Sequence, residues 1–181
     1  MTNNTPSDVS GESVLYAASE YASLLRRFAI LVVDGAVIFL AWCLIAATMP
    51  HTIGPYGRLN PKLVLSGLAF GYLYLAISKP SRIRTLGYWI TGVRIVDHKG
   101  QAPSLVRMTF RVFLWSLGPF NPVIDLLWLS GDRHRQTLRD KIAGTYVIRH
   151  EATPISRGHR KATYLSLMGV TLVLWEIEPD A

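Results

Sequence analysis

Two long apolar runs in the first half of the chain predict two membrane-spanning helices, at about 24–49 and 60–78. Between positions 28 and 49 the first run carries only one charged residue, Asp34. As a helix of 1.5 Å per residue this part is about 33 Å long, enough for a hydrocarbon core of about 30 Å. The second run is shorter, so Lys62 and Lys79 at its ends would extend toward the two membrane surfaces.

A third apolar run, 112–130, is interrupted by the pairs Gly118-Pro119 and Asn121-Pro122. Proline removes a helix hydrogen bond and pushes the preceding residue out of the helical region. We therefore expect two short helices, about 105–117 and 122–130, joined through Pro119 and Pro122 as a re-entrant or interfacial hairpin. A single crossing by 112–130 is the alternative.

Two β-branched segments, 91–97 and 144–150, read as strands and could pair as a small cytoplasmic sheet. That pairing requires 112–130 to return to the face it left, which favours the hairpin. The C-terminal apolar run 162–175 follows Arg160-Lys161 and precedes acidic residues. We expect it to form a short membrane helix, either a third crossing or an interfacial helix.

Composition and charge support a membrane protein. Half of the 181 residues are hydrophobic and 17% are charged, whereas soluble domains have nearer a quarter. The net charge is +7, and most Lys and Arg residues fall in 79–111 and 131–161. Because basic residues concentrate on the cytoplasmic side, the N-terminus should be cytoplasmic and 51–61 external. Such basic segments attract anionic lipid headgroups, so the expected partner is the bilayer and not nucleic acid.

The predicted fold is therefore an all-α polytopic membrane protein. It has two transmembrane helices, a Pro-broken re-entrant or interfacial helical hairpin, a small cytoplasmic β pair and a short C-terminal membrane helix. Along the chain we expect a disordered cytoplasmic tail at 1–20, a membrane domain at 21–149, and a basic linker with the C-terminal helix at 150–181.

Arg27 and Asp34 are the first candidates for a functional site. Seven residues make almost two helical turns, so the two side chains share a face about 10 Å apart along the axis. That separation is long for a direct bond, so we expect a third group or a water between them; Arg107, Arg111 or Arg139 could supply the group. Because an acid within the membrane is costly, Asp34 either binds a cation or proton, or anchors a polar cavity, or belongs to a buried structural pair.

Four further residues are candidates by position. Asp140, in a short segment with basic neighbours, either caps or pairs locally or completes the polar cluster. Asp125, beyond the proline break, faces the same alternatives. Gly67 and Gly71 are four residues apart in the second helix, a spacing that allows close helix packing, here against the first helix.

Several classes of chemistry find no support in the sequence. The chain has no P-loop, GxGxxG, HExxH or GxSxG pattern, so we expect neither an enzyme nor a cofactor. The single cysteine, Cys43, excludes an internal disulfide and a cysteine zinc cluster. The histidines lack metal-ligand spacing, so we expect no metal; they are His51, His98, His134, His150 and His159.

The chain resembles the RDD family of bacterial membrane proteins over about 21–149. The segment RRFAILVVD supplies the family's arginine and aspartate at Arg27 and Asp34, seven residues apart. TLGYWITGVRIVD matches the segment after the second helix but departs from it at Leu86 and Tyr88, where proline and lysine are common. GDRHRQTLRDKIAGTYVI matches the closing segment. The matching residues in these two segments are Thr85, Gly87, Gly92, Arg94, Asp97, Thr137, Asp140, Ala143, Gly144, Thr145 and Val147.

The resemblance implies a multi-pass protein of the bacterial cytoplasmic (inner) membrane, and transport of unidentified ligands has been suggested for the family. We expect transport of an ion or small charged solute through the Arg27/Asp34/Asp140 cluster. Since two or three helices make a poor pathway alone, a homo-oligomer or larger complex is expected. The alternative is a non-catalytic accessory or assembly subunit of a larger membrane complex.

Overall fold

The computed structural model describes residues 13–49, 59–116, 125, 128, 135–167 and 170–179. Its α-helices are α1 Leu24–Thr48, α2 Pro61–Tyr72, α3 Leu86–Thr91, α4 Leu105–Ser116 and α5 Leu138–Ala143. Its strands are β1 Ser13–Leu15, β2 Val93–Asp97, β3 Thr145–Arg149, β4 Ser156–Leu167 and β5 Val170–Pro179. The protein is thus a mixed α/β fold with two antiparallel sheets, and the prediction of an all-α protein is wrong.

The two long helices begin at side chains that accept backbone hydrogen bonds. The Ser23 hydroxyl accepts an N–H of the first turn of α1 at 3.4 Å. Asn60 accepts one at the start of α2 at 3.0 Å, and Pro61 follows it as the first helical residue. These contacts satisfy donors that a helix leaves unpaired at its start. α2 continues into a π-helical turn, Leu73–Ser78.

Both helices are long and apolar enough to cross a membrane, by length and composition. The second of these spans is Pro61–Ser78, which joins α2 to its π-helical turn. Large apolar side chains are exposed along both helices, whereas a core helix of a soluble protein would bury them. The most exposed are Leu25, Phe39, Leu40, Leu44, Leu65 and Leu68.

α1 and α2 approach each other closely at Gly67. A Cβ atom added at this position would collide with the indole ring of Trp42 on α1. At Gly71, by contrast, an added Cβ would meet nothing within 4 Å. The structure therefore places Gly67 in the contact between the two helices and Gly71 outside it.

We expect Gly67→Ala to lower the free energy of unfolding by about 1–3 kcal/mol, because the added methyl displaces the Trp42 ring. Gly71→Ala is the matched control and should be neutral or slightly stabilising, since alanine favours the helix by about 1 kcal/mol over glycine. Thermal unfolding of both variants in one detergent measures the difference. Equal destabilisation of the two would contradict the contact at Gly67.

Two short units of similar chemistry form the smaller sheet. In each, a six-residue helix follows a threonine and leads through a glycine into a five-residue strand; the units are α3–β2 and α5–β3. Both glycines have a left-handed backbone, with φ of 63° and 62°, which favours glycine at a helix end. β2 and β3 pair antiparallel, with Ile95 opposite Val147. The pairing of the two β-branched segments is therefore present.

The C-terminal apolar run forms a β-hairpin, so the predicted membrane helix at 162–175 is wrong. β4 and β5 pair antiparallel from Gly158 opposite Pro179 to Leu167 opposite Val170. The run is rich in β-branched and aromatic residues, which fit a pleated strand, and an apolar pattern alone does not separate strand from helix at this length. The turn residues 168 and 169 lie outside the described residues.

The base of the hairpin packs on the rest of the protein. Glu176 on β5 accepts a hydrogen bond from Lys141 on α5 at 2.5 Å. The Arg160 guanidinium lies 4.0 Å from the centre of the Trp175 ring. Leu174 and Ile177, on the two faces of β5, are both buried. These contacts fix the hairpin beside α5.

β1 lies within the segment predicted to be a disordered tail, and that prediction is wrong for residues 13–20. β1 pairs with β4 and makes the larger sheet three-stranded, in the order β1-β4-β5. Its Leu15 is buried with the neighbouring Tyr16 in a cluster that includes Tyr146 and Ile148, and this burial holds the segment in place. Residues 1–12 lie outside the described residues.

α4 corresponds to the first half of the predicted hairpin, 105–117. It is amphipathic, with Met108 and Arg111 buried and Val106 and Phe113 exposed. Pro119, Pro122 and most of 122–130 lie outside the described residues. The choice between a re-entrant hairpin and a single crossing therefore stays a prediction.

Candidate functional site

Asp140 joins three helices through a buried ion triad. Its carboxylate is fully buried, and Oδ2 lies 2.5 Å from Nη1 of Arg27 on α1. Oδ1 forms an ion pair with Nη2 of Arg111 on α4. Asp140 also completes a capping box with Thr137, whose hydroxyl accepts the Asp140 N–H at 3.2 Å. Asp140 is thus both a local cap of α5 and a member of the polar cluster.

The two arginines keep the buried Asp140 carboxylate ionised. Burial alone would raise the pKa of Asp140, but Arg111 and Arg27 hold it well below its usual range. Arg27 is fixed further by a 2.7 Å hydrogen bond from Nη2 to the Arg135 carbonyl oxygen. A change at any member of this triad leaves a buried charge without its partner.

Asp34 lies in a different environment, and four donors surround it. Oδ1 accepts the Gly87 N–H at 2.9 Å and the Tyr74 hydroxyl at 3.0 Å. Oδ2 accepts the Thr85 hydroxyl at 3.0 Å and lies 3.5 Å from Nζ of Lys79. A carboxylate has about four lone-pair positions, so these donors occupy all of them.

Asp34 caps α3 from a distant part of the chain. Thr85 precedes α3 and the Gly87 N–H belongs to its first turn, where helix donors lack partners. A Cβ atom at Gly87 would lie 2.7 Å from Oδ1 of Asp34, so the approach requires glycine. Asp140 thus caps the helix to which it belongs, α5, whereas α3 is capped by Asp34, which belongs to α1.

The structure separates the predicted Arg27/Asp34 pair into two sites. Arg27 bonds to Asp140, and Asp34 bonds to the segment around α3. The three arginines considered as groups between them each pair with an acid other than Asp34; the pairs are Arg111–Asp140, Arg139–Asp125 at 2.8 Å and Arg107–Asp97 at 3.4 Å. Asp125 is buried, and burial raises its pKa while Arg139 opposes the shift.

Lys79, directly after the second span, is the fourth cation of the cluster. Its ammonium lies between Asp34 and the Tyr88 ring, 4.5 Å from the ring centre. Burial lowers the pKa of Lys79 to about 8, although Asp34 acts in the opposite direction. Because this pKa is close to neutral pH, a small change in pH alters the fraction of Lys79 that is charged.

A cavity of about 100 Å³ separates the two carboxylate sites. Its charged lining consists of Arg27, Asp34, Lys79, Arg111, Asp125 and Arg139. With Asp140 behind them, four cations face three acids, so the site carries one positive charge in excess. Nη1 of Arg111 is buried and has no hydrogen-bond partner among the described residues. The cavity is therefore suited to a small anion.

The sequence did not identify all partners of Asp34. Tyr74 and Lys79 were missed because the π-helical turn changes which residues of the second span face α1. Thr85 carries a readable signal, since a threonine before a short helix that ends in glycine is a typical N-cap. Among the described residues, no group of three or more His, Cys, Asp or Glu side chains could hold a metal ion.

Comparison with known protein families identifies the family of this chain. A model described as RDD family matches residues 21–144. The matched range contains Arg27, Asp34, Thr85 and Asp140 and ends before the hairpin of β4 and β5. No curated protein and no solved structure matches this chain.

Proposed function

Because this chain belongs to the RDD family, we propose that it is an integral membrane protein that transports a small charged solute through the buried cavity. Two exposed apolar helices of spanning length support the placement in a membrane. The cavity supports a solute site because six charged side chains line it among apolar ones, and it lies close to the ends of both spans. We place the protein in the bacterial inner membrane.

The orientation follows from the charges at the helix ends. α1 begins beside Arg26 and Arg27, and the second span returns to the same end at Lys79. Basic residues favour the cytoplasmic side, so this end and the N-terminus would be cytoplasmic. The cavity would then lie near the cytoplasmic surface. A second copy would complete the pathway, since two spans alone enclose little space.

The charges favour an anion as the solute. The observation that carries this proposal is the buried Nη1 of Arg111, which has no hydrogen-bond partner in the part of the chain that the structure describes. Asp34 is unsuited to a cation or proton because its lone pairs already accept from Tyr74, Thr85, Gly87 and Lys79. An anion in the cavity would balance the excess positive charge and would give Nη1 of Arg111 an acceptor, while Nη2 stays paired with Asp140. Chloride or formate would suit a cavity of about 100 Å³.

Currents from proteoliposomes on a solid-supported membrane test the proposal. We expect anion currents when sodium gluconate in the external solution is rapidly replaced by sodium chloride or sodium formate. Lys79→Met should reduce them by about tenfold or more, because the cavity loses its excess charge. Lys62→Met, at the other end of the second span, is the matched control and should transport normally.

Cation jumps at constant chloride form the second arm. Currents that depend on the cation and survive Lys79→Met would mean that the solute is a cation. The alternative function, an accessory or assembly subunit, is favoured by the wide apolar faces of α1 and α2, which fit a protein partner as well as lipid. Currents with neither ion, together with a protein that co-purifies with this chain, would support that alternative.

The pH dependence of the currents follows from Lys79. Its pKa of about 8 lies below the ordinary value, so the amine loses its proton as the pH rises through 8. We expect anion currents to be full below pH 7 and to fall between pH 7 and 9. A bound anion stabilises the ammonium, so the midpoint should rise with anion concentration. Currents that do not change from pH 6.5 to 9.5 would exclude Lys79 from the site.

A further inference from the structure

A second cleft, separate from the charged cavity, lies beside the start of α1. It has a volume of about 680 Å³ and is lined by polar and apolar groups from several elements. Three arginines contribute to it: Arg26 from α1, Arg84 from the segment before α3, and Arg149 at the end of β3. None of the three lines the charged cavity. The cleft is therefore an independent candidate site.

Arg26 has a defined side-chain contact, and Arg84 has an unusual backbone conformation. Nη1 of Arg26 donates to the Thr91 carbonyl oxygen at 3.1 Å. Arg84 has a φ of 56°, a left-handed conformation that is strained for a residue other than glycine. Backbone strain of this kind persists where the surrounding structure enforces it, and it is concentrated at binding sites.

The charge of the cleft is positive. Glu20 and Glu151 also line it, so the three arginines leave one positive charge in excess with His150 neutral. Guanidinium groups are suited to phosphate because their N–H donors can bond two oxygens at once. A single phosphate with one negative charge would balance the cleft.

The apolar part of the cleft is exposed. Trp89 and Ile90 on α3 line it, with 65% and 58% of their surface exposed. Phe28, on the apolar surface of α1, follows Arg26 by two residues, which is about 3 Å along the helix axis. The arginines thus lie where the apolar surface of a spanning helix begins, at the depth of lipid headgroups, where tryptophan is also enriched.

We propose that this cleft binds the phosphate of a phospholipid headgroup, with the acyl chains lying along Trp89 and Ile90. The assignment of the phosphate to a lipid headgroup rests on the proposed function, in which α1 crosses the membrane. It does not depend on which solute binds in the charged cavity. A free phosphate compound shares the same recognition by arginine, and the experiment separates the two sources.

Binding of a fluorescent short-chain phosphatidylglycerol to the purified chain in a non-ionic detergent tests the site. We expect Arg84→Gln to weaken binding by about tenfold, as loss of one charge-assisted contact predicts. Arg149→Gln should weaken binding to the same extent. Because the Arg149 side chain is exposed, this variant serves as the test should Arg84→Gln fold poorly. Arg82→Gln, an equal charge change outside the cleft, should leave binding unchanged. Glu151→Gln should strengthen it.

Competitors identify the source of the phosphate. Unlabelled phosphatidylglycerol should displace the probe, and diacylglycerol with the same chains should not. Displacement by inorganic phosphate at similar concentrations would assign the cleft to a soluble phosphate compound. Equal losses in Arg82→Gln and Arg84→Gln, or equal displacement by diacylglycerol, would overturn the site. Anion currents of Arg84→Gln should match those of the unsubstituted protein, so failure here is distinct from failure of transport.

Discussion

Asp140→Asn is expected to lower the free energy of unfolding by about 3–5 kcal/mol, the range for breaking a buried ion pair from one side. The substitution removes the negative charge that Arg27 and Arg111 share and keeps the size of the side chain. Two buried guanidinium groups then lose their common partner. Thermal or denaturant unfolding in a mild detergent measures the loss.

Glu178→Gln is the control for this prediction. Glu178 pairs with Lys161 at 2.7 Å, but both side chains are about half exposed. Water and salt screen an exposed pair, so this variant should unfold nearly as the unsubstituted protein does. A similar small effect from both variants would show that Asp140 is not buried between two arginines.

Asp34→Ala should destabilise the protein by about 3 kcal/mol for a different reason. The change leaves the Gly87 N–H without an acceptor and removes the cap of α3, and each buried unpaired group costs about 1–3 kcal/mol. Asp34→Asn keeps one acceptor oxygen and should cost less. The free energy of unfolding should therefore fall more in Asp34→Ala than in Asp34→Asn, in line with the number of acceptor oxygens that each variant loses.

Gly87→Ala tests the same contact without changing any charge. Its Cβ would press against Oδ1 of Asp34, so it should destabilise the protein as an Asp34 variant does. Gly35→Ala is the matched control, since a Cβ there meets nothing within 4 Å. If Gly87→Ala is as neutral as Gly35→Ala, Asp34 does not cap α3.

The helices and strands that the sequence predicted correctly are those with a clear pattern of side chains along their own length. The apolar runs predict α1 and the second span. The β-branched segments predict β2 and β3, because strand propensity reflects residues that fit a pleated, half-buried surface. The C-terminal run was assigned wrongly because 14 apolar residues suit a short membrane helix and a hairpin equally well.

The sequence predicted which carboxylates belong to the candidate site, but it did not predict which residues they contact. Asp34 and Asp140 stand out because buried carboxylates are costly and need partners. Their partners lie far away in sequence: Asp140 is 113 residues from Arg27, and Gly87 is 53 residues from Asp34. No helical or strand periodicity spans such distances, so the seven-residue spacing identified Arg27 and Asp34 as candidates but not the separate partners that each side chain has.

Double-mutant cycles test this division of the site most directly. With Arg27→Met, Asp140→Asn and Asp34→Asn measured by unfolding, Arg27 and Asp140 should couple by about 2–3 kcal/mol, as residues in direct contact do. Arg27 and Asp34, which share no bonded partner among the described residues, should be additive within about 0.5 kcal/mol. Strong coupling of Arg27 to Asp34 together with additivity of Arg27 and Asp140 would contradict two separate carboxylate sites.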